Sequence, residues 1–159
     1  MRFHSRSPSE TAEAGRALAA AVDPEAGLFV ALSGPLGAGK TVWVKGAAQG
    51  LAIDSAQVSS PTFVLANRHE GHIPLVHADL YRIESEGELL SAGFLDWLEP
   101  GALIVAEWGD RFPDALPQDR LDLRIERPAA SGRWLEVEAS GPVARAALER
   151  FRKEFEAGR

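Results

Sequence analysis

The sequence places Gly34-Pro35-Leu36-Gly37-Ala38-Gly39-Lys40-Thr41 between two apolar segments. This octapeptide matches G-x-x-x-x-G-K-[ST], a loop whose glycines let successive backbone N–H groups turn inward around a phosphate. Residues 28–32 before it are all apolar and predict a buried strand, and apolar residues recur at helical spacing from Val44 to Leu51 after it. Because the pattern alone also arises by chance as a glycine turn, it is the order of strand, loop and helix that favours nucleotide binding.

If the loop binds a nucleotide, its two polar residues, Lys40 and Thr41, have specific chemical roles. Lys40 supplies a mobile positive charge for the outer phosphates, and Thr41 offers its hydroxyl to Mg²⁺. The chain holds 14 Arg but only three Lys, so a lysine at this position fits a requirement for a slim ammonium group. The residues predicted to contact the nucleotide from the loop and the start of its helix are Pro35, Leu36, Gly37, Ala38, Gly39, Lys40, Thr41 and Val42.

Composition narrows the class of protein. The chain has 45% hydrophobic and 25% charged residues, which is ordinary for a globular protein, and its length predicts a single domain spanning 1–159. The absence of cysteine excludes a disulfide framework, a thiolate nucleophile and a cysteine-ligated zinc site. A net charge of −6 disfavours extensive autonomous contact with nucleic acid, so any action on RNA is expected to go through partners. No apolar run approaches the roughly 20 residues of a membrane span, and residues 1–8 lack the apolar core of a signal peptide, so we expect a cytoplasmic protein without membrane contact.

The remaining segments predict an alternation of helices and strands. One helix begins at Ser7-Pro8, segment 84–98 is helical with a break at Gly93, and a last helix follows Gly141-Pro142. Two hairpins are predicted, over 63–69 with 75–81 and over 121–126 with 135–139. We expect an α/β, three-layer fold of the P-loop NTPase type, in which a mixed, mostly parallel central sheet is flanked by helices and carries antiparallel hairpins.

Acidic residues lie near the ends of two predicted strands. Segment 102–106 is wholly apolar, which predicts a central parallel strand, and Glu107 follows it directly. Ligands bind at the carboxyl ends of such strands, where P-loop enzymes place an acid that contacts the metal or orients water. On strand 75–81, His77 and Asp79 share one face, which predicts either contacts to metal or water or an ordinary solvated face.

Thr11 and Trp108 are two further candidates. Thr11 lies near the start of the first predicted helix, where a loop could bring it to an adenine base or where it could simply belong to the helix cap. Trp108 follows Glu107 and is interpreted as either a core residue or a lid over the nucleotide.

Four motifs together resemble one family. They are Gly34 to Thr41, Ser60-Pro61-Thr62-Phe63, His77-Ala78-Asp79-Leu80-Tyr81-Arg82 and Glu107-Trp108. In this order and spacing the chain is similar to the bacterial TsaE (YjeE) P-loop ATPases of tRNA threonylcarbamoyladenosine biosynthesis. The resemblance is close over residues 28–112, and the flanking segments match in layout only. The three motifs beyond the loop are far more specific than the loop itself.

The resemblance implies that ATP and Mg²⁺ bind and that ATP is hydrolysed. It implies that Lys40 and Thr41 hold the phosphates and the metal. It also implies that Asp79 is needed for hydrolysis, through the metal or the attacking water, and that Glu107 contacts Mg²⁺ directly or through water. Pro35 stands where the family often has an acidic residue, and its ring is expected to change the stiffness of the loop.

The resemblance also implies a switch and a partner complex. Ser60 and Thr62 would belong to a switch-like loop near the γ-phosphate, and Trp108 would lie beside the site. By the family, the chain binds a TsaD–TsaB complex, and its ATP turnover supports repeated formation of N6-threonylcarbamoyladenosine at position 37 of tRNAs that read ANN codons. The tRNA is reached through that complex, and the transfer chemistry belongs to TsaD.

Two other classes of protein stay open at this point. A small-molecule P-loop kinase would need lid arginines, for which Arg82 and Arg111 are candidates, and a nucleotide-dependent scaffold would bind without significant hydrolysis. A GTPase is disfavoured because the chain has no base-reading N-K-x-D stretch. The same two arginines are candidates for an arginine finger, and a finger supplied by a partner would make the basal turnover slow.

Overall fold

The computed structural model describes residues 1–61, 65–128 and 130–159, and within them it contains seven strands and five α-helices. The strands are β1 (Arg2–Ser5), β2 (Leu28–Ser33), β3 (Ala66–His69), β4 (Leu75–Asp79), β5 (Leu103–Glu107), β6 (Arg120–Glu126) and β7 (Arg133–Ser140). The helices are α1 (Pro8–Ala20), α2 (Lys40–Gly50), α3 (Glu86–Ser91), α4 (Phe94–Trp97) and α5 (Pro142–Ala157).

All these strands belong to one sheet with the order β1-β7-β6-β2-β5-β4-β3. The four neighbours β6, β2, β5 and β4 are mutually parallel. Antiparallel pairs lie at both edges, β3 with β4 on one side and β7 with β6 and β1 on the other. The predicted mixed, mostly parallel sheet is therefore observed. Because parallel strands end at one edge, the segments that follow β2, β4 and β5 are brought together there.

Helices cover both faces of the sheet. Along β2, Val30 and Leu32 pack into the cluster that includes α1, α2 and α5, whereas Phe29 and Ala31 pack on the opposite face with α3 and α4. Strand β5 is buried along its whole length, which explains why its residues before Glu107 are all apolar. The result is a three-layer α/β arrangement.

Helices α1 and α2 pack with their backbones in close contact. A Cβ atom added to Gly15 would lie 2.1 Å from the carbonyl oxygen of Trp43, and one added to Gly46 would lie 1.9 Å from that of Ala12. Glycine at both positions permits this approach. The contact fixes the position of α2 and therefore of the loop that precedes it.

Two predicted helix boundaries are observed. Ser7 caps α1, since its Oγ accepts a hydrogen bond from the N–H of Glu10 at 3.2 Å. The predicted helical segment 84–98 breaks at Gly93, whose φ of 95° is left-handed and separates α3 from α4.

Two predicted regions differ from the structure or extend beyond it. Strand β1 is not among the predicted elements, because its four residues give little periodicity and its partner β7 is remote in the chain. The first predicted hairpin is observed as β3 and β4, whereas Phe63 and Val64 lie outside the described residues. Within the described part of the chain, no helix has the length and apolar character that crossing a membrane requires.

Candidate functional site

The glycine-rich loop joins the end of β2 to the start of α2. Gly34 and Gly39 have φ angles of 145° and 108°. A Cβ atom on Gly34 would lie 2.3 Å from the carbonyl oxygen of Ile125, and one on Gly39 would lie 2.6 Å from Nε of Arg133. The left-handed backbone angle favours glycine at both positions, and at Gly34 the Ile125 backbone also leaves no room for a Cβ atom, so these positions shape the turn of the loop.

The loop presents free backbone N–H groups at the start of α2. Those of Gly39, Lys40 and Thr41 find no backbone acceptor among the described residues, as expected for the first turn of a helix. Gly39 is the N-cap and has no side chain to cap the helix. An anion held by these groups would satisfy them and would interact favourably with the helix dipole, so the local geometry fits a phosphate.

Lys40 is folded back on the loop. Its side chain is largely buried, and Nζ donates to the carbonyl oxygens of Gly34 at 2.5 Å and Pro35 at 3.1 Å. Nζ also lies 4.4 Å from the centroid of the Trp108 ring. Burial lowers the pKa of Lys40, and the nearby carboxylates, Glu107 foremost, oppose that shift.

One cavity brings most of the predicted residues together. It has a volume of about 300 Å³ and is lined by Leu36, Gly37, Gly39, Lys40, Thr41, Val42, Ser60, Asp79, Glu107, Trp108 and Arg133. Pro35 and Ala38 belong to the loop without lining the cavity. Two larger grooves, of about 400 and 520 Å³, lie along α5 and contain none of the predicted residues.

Asp79 and Glu107 end neighbouring parallel strands and are directly opposite each other in register. Glu107 is buried, whereas Asp79 is partly buried and its Oδ1 accepts a hydrogen bond from the N–H of Tyr81 at 2.9 Å. Burial raises the pKa of Asp79; the Tyr81 N–H opposes this shift, and the charge of Glu107 adds to it. Two carboxylates thus face the cavity that Lys40 also lines.

His77 contacts Glu107 inside the sheet. The imidazole is fully buried, and its Nε2 lies 2.6 Å from Oε2 of Glu107. Its Nδ1 has no hydrogen-bond partner among the described residues. Because the carboxylate accepts, Nε2 carries the hydrogen in this contact. For His77 the structure opposes both interpretations of this strand face, because the side chain is buried and contacts Glu107. Asp79, on the same face, lines the cavity.

Thr41 and Ser60 are joined by a hydrogen bond between their hydroxyl oxygens at 2.9 Å. Ser60 therefore lies at the cavity, beside the residue predicted to bind the metal. Thr62, the other predicted member of the switch-like loop, lies outside the described residues.

The oxygen donors at the cavity suit a magnesium ion. Over residues 1–61, 65–128 and 130–159, no three His, Cys, Asp or Glu side chains are grouped so that they could hold a metal by themselves. The donors here are instead the hydroxyl of Thr41 and the carboxylates of Asp79 and Glu107. Mg²⁺ prefers hard oxygen donors and is commonly held by one or two carboxylates together with substrate phosphates. The residues present therefore fit an ion shared with a nucleotide.

Trp108 forms a wall of the cavity. Its φ of 61° is left-handed, which is rare for a residue with a side chain and marks many functional sites. The backbone N–H of Trp108 donates to the carbonyl oxygen of Leu32 at 2.8 Å, and the centroid of its ring lies 5.2 Å from that of Tyr81. The indole is half-buried between this tyrosine and Lys40, and it also packs against the core cluster that includes α3 and α4. Its role as a lid over a nucleotide stays a prediction.

An arginine lines the cavity, but it is neither of the two arginines that the sequence suggested. Arg133 at the start of β7 lines the cavity, whereas Arg82 and Arg111 do not. The Arg111 guanidinium instead donates to the carbonyl oxygens of Leu80 and Tyr81 and so ties together two loops. Nothing in the sequence distinguishes Arg133 from the other arginines, because its neighbourhood depends on the folding of the second hairpin.

Thr11 requires a correction. Its side chain is fully buried, its hydroxyl lies 2.7 Å from that of Ser5, and it donates to the carbonyl oxygen of Ser7 at 3.2 Å. It is absent from the residues that line the cavity. The structure thus opposes the prediction that Thr11 contacts a nucleotide and favours the alternative of a role at the start of α1.

Comparison with known proteins identifies a family. Residues 5–135 match the family model described as threonylcarbamoyl adenosine biosynthesis protein TsaE. This match spans more than half of the chain and includes the glycine-rich loop and both acids.

Individual relatives agree with that match. A tRNA threonylcarbamoyladenosine biosynthesis protein TsaE from Bacillus subtilis is 35% identical over 142 residues, which covers 89% of this chain and 87% of the relative. The protein of the same name from Mycobacterium tuberculosis is 43% identical over 117 residues, which covers 67% of this chain and 68% of the relative. The crystal structure of Bacillus subtilis YdiB superimposes with a TM-score of 0.80 at 28% identity, and the alignment covers 97% of this chain and 95% of that one.

Proposed function

The chain belongs to the TsaE family, and from this premise we propose that it is an ATPase of tRNA threonylcarbamoyladenosine biosynthesis. It binds ATP with Mg²⁺ and hydrolyses the bond between the β- and γ-phosphates, slowly by itself and faster with a TsaD–TsaB complex. Through that complex its turnover supports repeated modification of adenosine 37 in tRNAs that read ANN codons.

One observation carries the proposal: groups from three separate segments converge on one cavity. The glycine-rich loop contributes Lys40 and Thr41, the end of β4 contributes Asp79, and the end of β5 contributes Glu107. A structural glycine turn needs neither a buried lysine nor two carboxylates beside it, whereas phosphoryl transfer needs charge neutralisation and positioning from all of these.

The roles of the residues follow from their positions. Backbone N–H groups at the start of α2 hold the phosphates, and Lys40 turns from the loop carbonyls to the outer phosphates when they are present. Asp79 and Glu107 orient water or the metal shell, and His77 keeps the Glu107 carboxylate in place. When bound, Mg²⁺ supplies neutralisation of the charge on the β- and γ-phosphate oxygens. The products are ADP, inorganic phosphate and a proton.

The test measures phosphate release from ATP by the purified chain, alone and with TsaD–TsaB. We expect a slow basal rate that rises when the complex is added. Lys40→Ala should abolish both rates, because it removes the charge that reaches the phosphates. Lys45→Ala is the matched control, since Lys45 is exposed on the same helix and should keep the wild-type rate.

Two results would overturn the proposal. One is a rate in Lys40→Ala equal to that of the wild type, and the other is a wild-type rate that TsaD–TsaB leaves unchanged. Consumption of ATP that instead depends on an added small-molecule acceptor would identify a kinase.

A further inference from the structure

Arg133 enters the candidate site from the opposite side to the acids. In the sheet, β5 and β4 lie on one side of β2, and β6 and β7 lie on the other. Asp79 and Glu107 end β4 and β5, whereas Arg133 begins β7. Because β7 runs antiparallel to β6, its first residue lies at the sheet edge where the parallel strands end. The glycine-rich loop after β2 is therefore placed between the two acids and this arginine.

The Arg133 side chain is packed against the loop. Its Nε donates to the carbonyl oxygen of Ala38 at 2.5 Å. A Cβ atom on Gly39 would lie 3.0 Å from Cδ and 3.4 Å from Cζ of the same side chain. The guanidinium thus lies beside the first N–H groups of α2, which are the groups that fit a phosphate.

The charge of Arg133 is not neutralised by a neighbour. No carboxylate of the described residues forms an ion pair with it, whereas Arg124 on the adjacent strand pairs with Glu126 at 2.9 Å. A guanidinium is a planar fork with five N–H donors. With Nε–H engaged by the loop, the terminal nitrogens keep donors that suit phosphate oxygens.

From this placement we infer that Arg133 binds the phosphate of the nucleotide closest to the nucleoside, resting on the proposal that this cavity binds ATP. The acids mark the end of the cavity that takes the metal and the outer phosphate, and Arg133 stands across the loop from them. It is therefore a binding residue for ADP and ATP alike and does not act as an arginine finger on the γ-phosphate. It also links the β6–β7 hairpin to occupancy of the loop.

The first test compares the dissociation constants of ADP and ATP, with Mg²⁺, for wild type and Arg133→Gln by calorimetry. Removing one charge-assisted contact should weaken both nucleotides by the same factor, roughly tenfold to a hundredfold. The dissociation constants of Arg133→Lys should lie between those of wild type and Arg133→Gln. Lysine keeps the positive charge but lacks the forked guanidinium that can contact the loop and a phosphate together. Arg124→Gln, which removes the same charge from the neighbouring strand outside the cavity, should bind like wild type.

Unchanged affinity of Arg133→Gln for ADP would overturn the inference. So would a variant that binds ADP and ATP normally but no longer hydrolyses ATP, since that result would place the guanidinium at the γ-phosphate. In either case wild-type ATP binding would still stand, so failure of this inference is distinguishable from failure of the proposed function.

A second test uses the wild-type chain and does not depend on a variant folding. Phenylglyoxal modifies accessible arginines, and mass spectrometry locates the modified residues. ADP with Mg²⁺ should protect Arg133 and leave Arg124 equally reactive. Equal modification of Arg133 with and without ADP would overturn the inference.

Discussion

Asp79 sits in surroundings that disfavour its own negative charge. Burial raises its pKa, and the neighbouring Glu107 adds to the effect. Across the cavity, burial lowers the pKa of Lys40 in the same way. Each group is thus held in a place where ionisation costs free energy in the absence of a ligand, which is common where groups are positioned for binding or catalysis.

The first prediction concerns Asp79→Asn. Asparagine keeps the oxygen that accepts from the Tyr81 N–H and removes the charge, so at pH 7 the ligand-free variant should melt at a higher temperature than wild type. Between the ordinary pKa of 3.8 and the raised pKa of Asp79 in the folded state, the folded chain binds more protons than the unfolded one. The stability of the wild type therefore falls as the pH rises through that range. The gain should therefore fade as pH is lowered towards and below the ordinary value of 3.8. Hydrolysis should drop by about a hundredfold or more.

Calorimetric melting from pH 3 to 8 checks this prediction. Asp114→Asn on an exposed loop is the control and should leave the melting temperature unchanged. A lower melting temperature of Asp79→Asn than of wild type at neutral pH would contradict the prediction that the Asp79 charge destabilises the folded state.

The second prediction concerns His77→Leu. Removing the imidazole leaves the buried Glu107 carboxylate without its donor, which would weaken the proposed metal ligand by loss of orientation. The Mg²⁺ concentration needed for half-maximal hydrolysis should rise by roughly tenfold or more. His77→Gln, which can still donate, should recover part of this loss. His69→Leu on the neighbouring strand is the control, because His69 does not contact Glu107. An unchanged Mg²⁺ requirement in His77→Leu would show that this contact is only structural.

Among the secondary-structure elements, the helix pair α1–α2 controls where the glycine-rich loop ends. The first residues of α2 are Lys40 and Thr41, so any displacement of this helix displaces the site. Its position depends on the close approach to α1 through Gly15 and Gly46. The small side chains of this interface therefore serve the geometry of the cavity as well as the core.

Gly46→Ala is the third prediction. The added methyl would meet the Ala12 carbonyl oxygen at 1.9 Å, so the helices must separate, and the free energy of unfolding should fall by about 2 kcal/mol or more. Gly87→Ala is the matched control, because its Cβ would meet only the Ser85 Oγ at 3.9 Å, and the higher helix propensity of alanine should make it neutral or slightly stabilising. Urea titration of both variants measures the difference. Equal stability of the two would mean that α1 and α2 are not in such close contact.

For the whole molecule, the site depends on the order of strands in the sheet. The loop after β2, the acids on β4 and β5 and the arginine on β7 all lie at one edge, although they are far apart in the chain. A nucleotide that contacts these groups together would hold several parts of the sheet at once, so binding is coupled to the stability of the whole fold.

The fourth prediction follows from this coupling. ATP with Mg²⁺ at about a hundred times its dissociation constant should stabilise the folded chain by about 2.7 kcal/mol, and EDTA should remove much of that gain. Thermal melting with and without EDTA measures the effect. Lys40→Ala should show little shift under the same conditions. Equal shifts in wild type and Lys40→Ala would contradict binding at the glycine-rich loop.

The sequence by itself determined the features that depend on neighbouring residues. The glycine spacing of 34–41 set the loop, the apolar run before Glu107 set a doubly buried strand, and Gly93 set a break between helices. These follow because backbone preferences and burial periodicity act over a few residues. The single domain and the role of Thr62 stay predictions.

Only the tertiary structure decided which distant residues meet. It paired His77 with Glu107, brought Arg133 to Gly39, buried Thr11 and added β1 to the edge of the sheet. No local pattern specifies these contacts, because they depend on strand order, register and the direction of the second hairpin. Strand order and register are stabilised by the packing of side chains on both faces of the sheet at once. That packing is a property of the folded chain as a whole.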